Sequence, residues 1–336
     1  MSTISSDRVS GTGDEPLPGA GERLQLADLA AFGPLARHLA DPSVTDLFVN
    51  GHRELWVDHG RGARRVLEWT CPTESQLREF AVRLVARGGR HLDESAPCVD
   101  VTVAGRRVHV VLPPVAVGGT LVSVRVPGAR ELGLDELAES GFFGSSAAYE
   151  RVRLAVGERT NLLVSGAAGS GKTTFLSACL SAADHGERIV VIEDVTELRV
   201  THPHVVALQA RQPNLEGAGA VGLPELVRQA LRMRPDRLVL GECRGAEVRE
   251  LFAALNTGHD GGAGTLHANA LGDVPARLEA LGALAGLDAV AVARQAVSAI
   301  GLLCHLGRRG PQRVLEGFGR FELDHRDRLV VREVSP

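Results

Sequence analysis

The pattern of apolar and polar positions changes near residue 145 of this 336-residue chain. Before that point, short alternating runs typical of half-buried strands surround one stretch with helical spacing, Thr73–Arg87. The apolar residues of that stretch recur every three or four positions behind a capping threonine: Leu77, Phe80, Ala81 and Leu84. After residue 145, continuous apolar runs alternate with loops and helical stretches, which is typical of a parallel sheet. The pattern therefore predicts two domains of different architecture.

The first region is predicted to be an α+β domain with an antiparallel sheet. Its predicted strands are separated by turns and by the helix: Val44–Val49, Glu54–Asp58, Arg65–Trp69, Val99–Val103, Arg107–Leu112 and Leu121–Val126. Pro127 and Gly128 end this pattern, and Leu132–Ser140 is predicted as a short connecting helix. A polar stretch rich in Gly, Ser and Pro precedes the region. We therefore predict a disordered tail (1–23), an N-terminal α+β domain (24–130), a linker (131–145) and an α/β domain (146–336).

Within the second region, three apolar runs are predicted as buried parallel strands: Asn161–Ser165, Arg188–Ile192 and Leu238–Leu240. A glycine-rich loop follows the first of them, and Lys172–Ser181 is predicted as the helix after that loop. A long apolar stretch, Leu278–Cys304, is interrupted by charged residues that a membrane helix would bury at high cost. It is predicted to form one or two amphipathic core helices, so no transmembrane segment is expected.

The glycine-rich loop carries the clearest chemical signal in the chain. Of the 37 Lys and Arg residues, one is a lysine, Lys172. An ammonium is a compact point charge, whereas a guanidinium is larger and planar. In a chain that otherwise uses arginine, a lysine here indicates that the position requires the smaller group. The spacing G-x-x-x-x-G-K-[ST] after a strand and before a helix is that of a phosphate-binding P-loop. Its residues are predicted to bind nucleotide: Gly166, Ala167, Ala168, Gly169, Ser170, Gly171, Lys172, Thr173 and Thr174.

Acidic residues follow two of the other predicted strands. Glu193 ends the second strand, with Glu197 just beyond it, and Glu242 ends the third. Because the carboxyl ends of parallel strands meet at one edge of an open sheet, these acids are expected to face the phosphates. Hydrolysis requires a carboxylate that orients or activates water near the γ-phosphate. The arrangement therefore favours hydrolysis over mere binding.

Two histidines bracket three glycines at a further predicted strand. His259 and His267 lie eight residues apart, and no cysteine or third histidine nearby has the spacing of a metal site. We predict that the pair senses the γ-phosphate.

Composition restricts the class of partner. The chain is 44% hydrophobic and 23% charged, as in a soluble globular protein. Its net charge of -4 and its aromatic content of 4% provide neither a basic nor a stacking surface, so direct nucleic-acid binding is not expected. Five cysteines without a C-x-x-C pair indicate a reduced, cytosolic compartment with the thiols as small core residues: Cys71, Cys98, Cys179, Cys243 and Cys304.

Taken in order, these segments resemble the secretion and type IV pilus ATPase superfamily, most closely the tight-adherence (Flp) pilus assembly ATPases of the CpaF/TadA type. The P-loop matches the family's Walker A, residues 188–194 its Asp box, residues 231–244 its Walker B, and residues 256–269 its His box. Residues 93–97 and 112–114 extend the likeness into the first domain, so it covers about residues 30–300. The absence of C-x-x-C pairs counts against the type II secretion branch, whose members often carry a tetracysteine zinc module.

The resemblance implies a RecA-like P-loop ATPase domain with a smaller N-terminal α+β, PAS-like domain. It implies ATP and Mg²⁺ as ligands, with Thr173 and Glu193 at the metal, Glu242 as the main catalytic glutamate, and His259 and His267 near the phosphates. It implies that three arginines lie near the nucleotide or a subunit interface: Arg232, Arg234 and Arg244. Two more, Arg107 and Arg125, match first-domain arginines that help to close the nucleotide cleft in the hexameric rings of this family. For Arg107 and Arg125, a charged strand edge is the alternative interpretation.

By the same resemblance, the protein is predicted to be a homohexameric motor at the cytoplasmic face of the membrane. ATP hydrolysis would act on a membrane-embedded platform protein and power pilus assembly or protein secretion. An ATPase of a conjugation or type IV secretion apparatus is the first alternative. A RecA-like nucleic-acid translocase and a nucleotide-binding regulator without hydrolysis are the others.

Overall fold

Two β-sheets organise the chain in the computed structural model, which describes residues 28–69, 71, 73–126, 131–213, 218–310 and 312–336. The predicted disordered tail and the predicted break at Pro127 and Gly128 lie outside the described residues. No single described helix has both the length and the apolar composition to span a bilayer; only the segments Leu271–Leu284 and Ala289–Ala299 together reach that threshold, with a bend of 117° between them.

The first sheet has six antiparallel strands in the order β3-β2-β1-β6-β5-β4. They are β1 (Asp46–Asn50), β2 (Leu55–Asp58), β3 (Arg64–Arg65), β4 (Cys98–Val103), β5 (Arg106–Val111) and β6 (Leu121–Arg125). Alternate strand residues point into one core, as the period of two requires. A one-turn helix α1 (Ala36–Leu39) precedes the sheet, and helix α2 (Glu74–Arg87) packs against it.

Helix α2 confirms the prediction made from its apolar spacing. The Thr73 side chain accepts a hydrogen bond from the Gln76 N–H at 3.2 Å, which caps the first turn. The face that reaches the core contains the four residues expected there and also Val85. Five of the six predicted strands are confirmed within two residues at each end.

The prediction of a strand at Arg65–Trp69 is wrong. Only Arg64–Arg65 pairs with β2, and beyond Val66 the chain leaves the sheet. Leu67 is 91% exposed, while Trp69 turns inward and its indole N–H donates to the His52 carbonyl at 2.9 Å. The apolar residues that suggested a strand here belong to a loop, and only one of them, Trp69, is buried in the core.

The second sheet has eight strands in the order β14-β13-β12-β7-β11-β10-β8-β9. They are β7 (Leu162–Gly166), β8 (Ile189–Glu193), β9 (Val205–Gln209), β10 (Arg237–Cys243), β11 (Ala263–His267), β12 (Leu302–Arg309), β13 (Gln312–Leu323) and β14 (Leu329–Val334). The six strands from β12 to β9 in this order are parallel, and β13 and β14 are antiparallel additions at one side.

Helices cover both faces of this sheet and form two separate cores. They are α3 (Leu134–Glu139), α4 (Ser146–Gly157), α5 (Lys172–Ser181), α6 (Leu223–Leu231), α7 (Glu247–Leu255), α8 (Val274–Leu284) and α9 (Ala289–Ala299). The connecting helix expected at Leu132–Ser140 is confirmed as α3, and its Leu134 and Leu137 pack into the core of the second sheet. Part of the predicted linker (131–145) thus packs with the second sheet, and the exact residues at which the domains begin and end stay a prediction.

The long apolar stretch Leu278–Cys304 is only partly helical. It contains most of α8 and all of α9, as predicted, but its last three residues begin strand β12. That strand lies beside β7, the strand that leads into the P-loop.

The cysteine prediction holds for three of the five residues. Cys179, Cys243 and Cys304 are buried, and burial raises the pKa of the Cys304 thiol to about 12. Cys98 is exposed at the start of β4 and Cys71 is half-buried, so for Cys98 the prediction of a core position is wrong.

Candidate functional site

The P-loop follows β7 and has a backbone that only glycine adopts without strain. Gly169 and Gly171 have φ values of 73° and 96°, in the left-handed region. At Gly166 a Cβ atom would lie 2.4 Å from the Leu306 carbonyl oxygen, so the loop passes directly against β12. Gly171 is also the N-cap of α5, which directs the helix N-terminus at the loop. The predicted order of strand, loop and helix is thus confirmed, and phosphate binding at this loop stays a prediction.

Lys172 lies inside this loop with 7% of its surface exposed. Its Nζ donates to the carbonyl oxygens of Gly166 at 2.8 Å and Ala167 at 2.9 Å, and it lies 3.4 Å from Nδ1 of His267. Burial lowers the pKa of Lys172, and the Glu242 carboxylate opposes that change. The ammonium is therefore held in a small polar space beside the predicted catalytic glutamate.

Glu242, His267 and Arg244 meet at the carboxyl ends of β10 and β11. Glu242 pairs with Nε2 of His267 through one oxygen and with the Arg244 guanidinium through the other. His267 is the register partner of Gly166 on β7, which places it next to the P-loop. The pKa of His267 is lowered, mainly by burial, and the Glu242 carboxylate opposes that change. The structure thus brings Lys172, Glu242 and His267 into one cluster.

Glu193 ends β8 and is 5% exposed. Its Oε1 accepts the backbone N–H groups of Glu197 at 3.0 Å and Leu198 at 2.9 Å. The side chain lies across Gly241, where a Cβ atom would approach Glu193 Cγ to 2.6 Å. Burial raises the pKa of Glu193 to about 7, although the two N–H groups act in the opposite direction.

This raised pKa predicts a pH-dependent stability that Glu193→Gln removes. In the unfolded chain Glu193 ionises near its ordinary pKa of 4.5, whereas in the folded protein it keeps its proton until about pH 7. The folded state therefore binds more protons between these values, and the free energy of unfolding falls as pH rises through them. The expected loss relative to Glu193→Gln is about 3 kcal/mol. Urea unfolding of both proteins at several pH values, without Mg²⁺ or nucleotide, measures it.

The exposed residue Glu68 offers the matched control. Glu68→Gln is expected to follow the wild-type pH dependence. A difference between wild type and Glu193→Gln that stays constant across the pH range would contradict the assignment.

The two N-terminal arginines lie beside each other on β5 and β6, because Arg107 is the register partner of Arg125. Arg107 Nε lies 3.2 Å from Asp100 Oδ1, and its guanidinium also pairs with Glu197, in the loop that caps Glu193. Arg125 pairs with Asp46 at 3.1 Å and has 68% of its side chain exposed. Arg107 thus connects the first sheet to the P-loop edge of the second, while Arg125 remains at a charged strand edge.

Three predicted site residues lie at the opposite edge of the sheet. His259 precedes β11, and Arg232 and Arg234 precede β10, so all three stand at the amino ends of the parallel strands. The length of β11 alone, about 13 Å, separates His259 from the phosphate edge. The Nδ1 atom of His259 lies 3.1 Å from the Ala254 carbonyl oxygen. The expectation that these residues reach the nucleotide of their own subunit is therefore corrected; for both arginines, the interface alternative stays a prediction.

Comparison with known proteins identifies the family. A family model described as "Type II/IV secretion system protein" matches residues 28–315, which include the P-loop and the clustered residues around it. The chain belongs to this family. A putative conjugal transfer protein of Mycobacterium tuberculosis is 47% identical over 293 residues, covering 85% of this chain and 83% of its own. The type IV secretion system protein PtlH of Bordetella pertussis is 33% identical, covering 68% and 74% respectively.

A solved structure of the same fold is the pilus retraction motor PilT with bound ADP. It has a TM-score of 0.59 at 18% identity and covers 84% of this chain and 80% of its own. The type II/IV secretion fold, a RecA-like P-loop domain preceded by an α+β domain, is therefore present here, as predicted. The closer resemblance to the CpaF/TadA type stays a prediction.

Sequence reasoning missed two groups that contact the site of this secretion-family protein. Arg313 on β13 donates from Nε to the Gly169 carbonyl oxygen at 3.2 Å. Glu247, 5% exposed, accepts the backbone N–H groups of Arg244 at 2.6 Å and Gly245 at 2.7 Å, which fixes the loop after Glu242. The cluster of arginines around Gly310 in the sequence could have pointed to the first group. For Glu247 the signal was its position three residues after Arg244, ahead of an apolar helix.

The residues at this edge fit a nucleotide with Mg²⁺. The Ser170 hydroxyl is buried and has no hydrogen-bond partner among the described residues, so the loop leaves a polar atom for a ligand to satisfy. Thr173 lies in the first turn of α5 and is half-buried, and Glu193 is the last residue of β8. A hydroxyl and a carboxylate are oxygen donors of the kind that Mg²⁺ prefers.

Proposed function

We propose that the protein is an Mg²⁺-dependent ATPase whose hydrolysis drives a secretion or pilus machine. The observation that carries this proposal is the meeting of Lys172, Glu242 and His267 at the carboxyl edge of the parallel sheet. A lysine at a P-loop and a residue that positions water are recurring parts of phosphoryl-transfer sites, and His267 pairs with the carboxylate that would position the water. Membership of the type II/IV secretion family supports an ATPase generally.

Each residue has a definite role in this proposal. Backbone N–H groups of residues 168–172 would hold the phosphates, and Lys172 would neutralise charge on the β- and γ-phosphate oxygens. Thr173 and Glu193 would hold Mg²⁺, which would supply further neutralisation of phosphate charge when bound. Glu242 would orient the attacking water, and His267 would hold Glu242 in place and contact the γ-phosphate.

Arg107 would couple the site to movement of the N-terminal domain. Its guanidinium pairs with Glu197, whose backbone N–H in turn bonds to Glu193. A change at Glu193 on metal binding would therefore be transmitted through one residue to the first sheet. Motion of the two domains against each other would act on a membrane-embedded platform protein from the cytoplasmic face, within a homohexamer.

Two classes of machine are candidates for what this ATPase would drive. Flp pilus assembly follows from the family resemblance of the sequence boxes. The relatives named for conjugal transfer and type IV secretion favour the second class, a conjugation or type IV secretion apparatus. Both classes use the same site chemistry.

The proposal is tested by measuring phosphate release and mass together. Purified full-length protein is expected to release phosphate from ATP in the presence of Mg²⁺ and to stop when EDTA removes the metal. Light scattering with and without ADP is expected to detect a hexamer. No phosphate release under any condition would refute hydrolysis, and a strict monomer throughout would refute the ring.

A further inference from the structure

The hairpin of β12 and β13 places two arginines against the P-loop. A Cβ atom on Gly169 would lie 3.9 Å from a terminal nitrogen of Arg308, and one on Gly171 would lie 3.0 Å from Cδ of Arg313. Arg313 also donates to the Gly169 carbonyl oxygen at 3.2 Å. Both side chains are exposed, so their terminal nitrogens are free to reach a ligand lying on the loop.

These two arginines are direct cross-strand partners, which puts both positive charges on the same face of the hairpin. Like charges in directly opposed positions destabilise a sheet unless an anion lies between or beside them. Within the described residues, neither guanidinium forms an ion pair with an acid. Glu316, an acid further along β13, does not pair with either arginine; its carboxylate lies 3.8 Å from Nε2 of His305. The hairpin thus presents an uncompensated pair of charges beside a phosphate-binding loop.

Strand order determines which end of a nucleotide would meet this pair. Strand β7 lies between β12 on one side and β11 on the other, and Glu242 and His267 are on the β11 side. The Nζ atom of Lys172 lies 3.4 Å from Nδ1 of His267 on β11. Because this lysine and Glu242 would act on the γ-phosphate, the γ-phosphate would lie on the β11 side. A triphosphate held with its γ end there must leave its α-phosphate and nucleoside toward β12, where Arg308 and Arg313 stand.

We infer that Arg308 and Arg313 bind the α-phosphate and ribose end of the nucleotide. This inference rests on the proposed function, because it assumes that the P-loop holds a nucleotide. Guanidinium groups only donate hydrogen bonds, so they match phosphate and ribose oxygens and cannot accept one from the adenine amino group. The pair therefore strengthens binding of adenine and guanine nucleotides alike.

The test compares the affinity of full-length variants for MgADP and for Mg²⁺-pyrophosphate by calorimetry. Pyrophosphate can occupy the β- and γ-positions at Lys172 without reaching the hairpin. Arg308→Ala and Arg313→Ala are each expected to weaken ADP binding by roughly tenfold and to change pyrophosphate binding by less than about threefold. GDP affinity is expected to fall as much as ADP affinity.

Arg309 provides the matched control on the same hairpin. It pairs with Gln312, so its side chain points to the other face, where the Gln312 amide donates to the Ser140 carbonyl oxygen at 2.9 Å. Arg309→Ala is expected to bind both ligands as the wild type does.

Two results would overturn the inference while leaving the proposed function intact. Unchanged ADP affinity in Arg308→Ala and Arg313→Ala would remove both residues from the site. Equal losses for ADP and pyrophosphate in both variants would mean that the arginines only support the loop. A wild-type protein that binds neither ligand, or a Lys172→Ala variant that binds both normally, would instead refute the nucleotide site itself.

Discussion

Lys172→Arg is expected to abolish Mg²⁺-dependent ATP hydrolysis nearly as completely as Lys172→Ala, by about 10²-fold or more. The variant keeps the positive charge, so charge alone does not predict this result. Lys172 is 7% exposed, and its Nζ lies within 3.4 Å of two carbonyl oxygens and the His267 ring. A planar guanidinium is larger than the ammonium and needs its donors in a fixed fork, which this space does not accept.

The measurement is phosphate release at saturating MgATP, with thermal unfolding recorded to check that each variant is folded. Arg153→Lys, on a side chain that is 55% exposed, controls for the exchange of the two residue types elsewhere in an arginine-rich chain. It is expected to be as active as the wild type. If Lys172→Arg were fully active, the single lysine of the sequence would have no chemical significance.

Glu242→Gln is expected to lower the rate of hydrolysis by about 10²- to 10⁴-fold while nucleotide binding persists. The substitution keeps the shape of the side chain and removes the carboxylate that faces Lys172 and His267. Water then loses the group that orients it, whereas the backbone cradle and the lysine still hold the phosphates. Single-turnover phosphate release and equilibrium binding of ADP separate the two effects.

Glu225→Gln, on an exposed ion pair of helix α6, is the control for this substitution. Its hydrolysis rate is expected to equal that of the wild type. Phosphate release that continues unchanged in Glu242→Gln would remove Glu242 from catalysis and would favour a nucleotide-binding regulator as the function.

Local chemistry explains why the P-loop and the acids were predictable from the sequence. Lys172, Gly169 and Gly171 belong to a contiguous segment whose backbone conformation depends on its own residues. Glu193 and Glu242 end apolar runs, and the carboxyl ends of parallel strands meet at one edge whatever the strand order. For these residues, the position within an element was enough to place them.

The same reasoning was wrong where it ignored strand direction. His259 and His267 are close in sequence, but the extended strand β11 lies between them and sends them to opposite edges. Arg232 and Arg234 were near Glu242 in sequence, yet β10 separates them from it by about 20 Å. Proximity along the chain becomes distance in space whenever a strand intervenes.

The sequence by itself determined that this chain holds a P-loop and that Glu193 and Glu242 lie at the carboxyl edge of the same sheet, because those features depend on local backbone geometry. Only the tertiary structure decided which distant segments complete the site. Arg313 contacts Gly169 across 144 residues, and Arg107 contacts Glu197 across 90. Such contacts depend on strand order and on the docking of one sheet against the other. Neither is encoded in a local pattern, since each results from the packing of the whole chain.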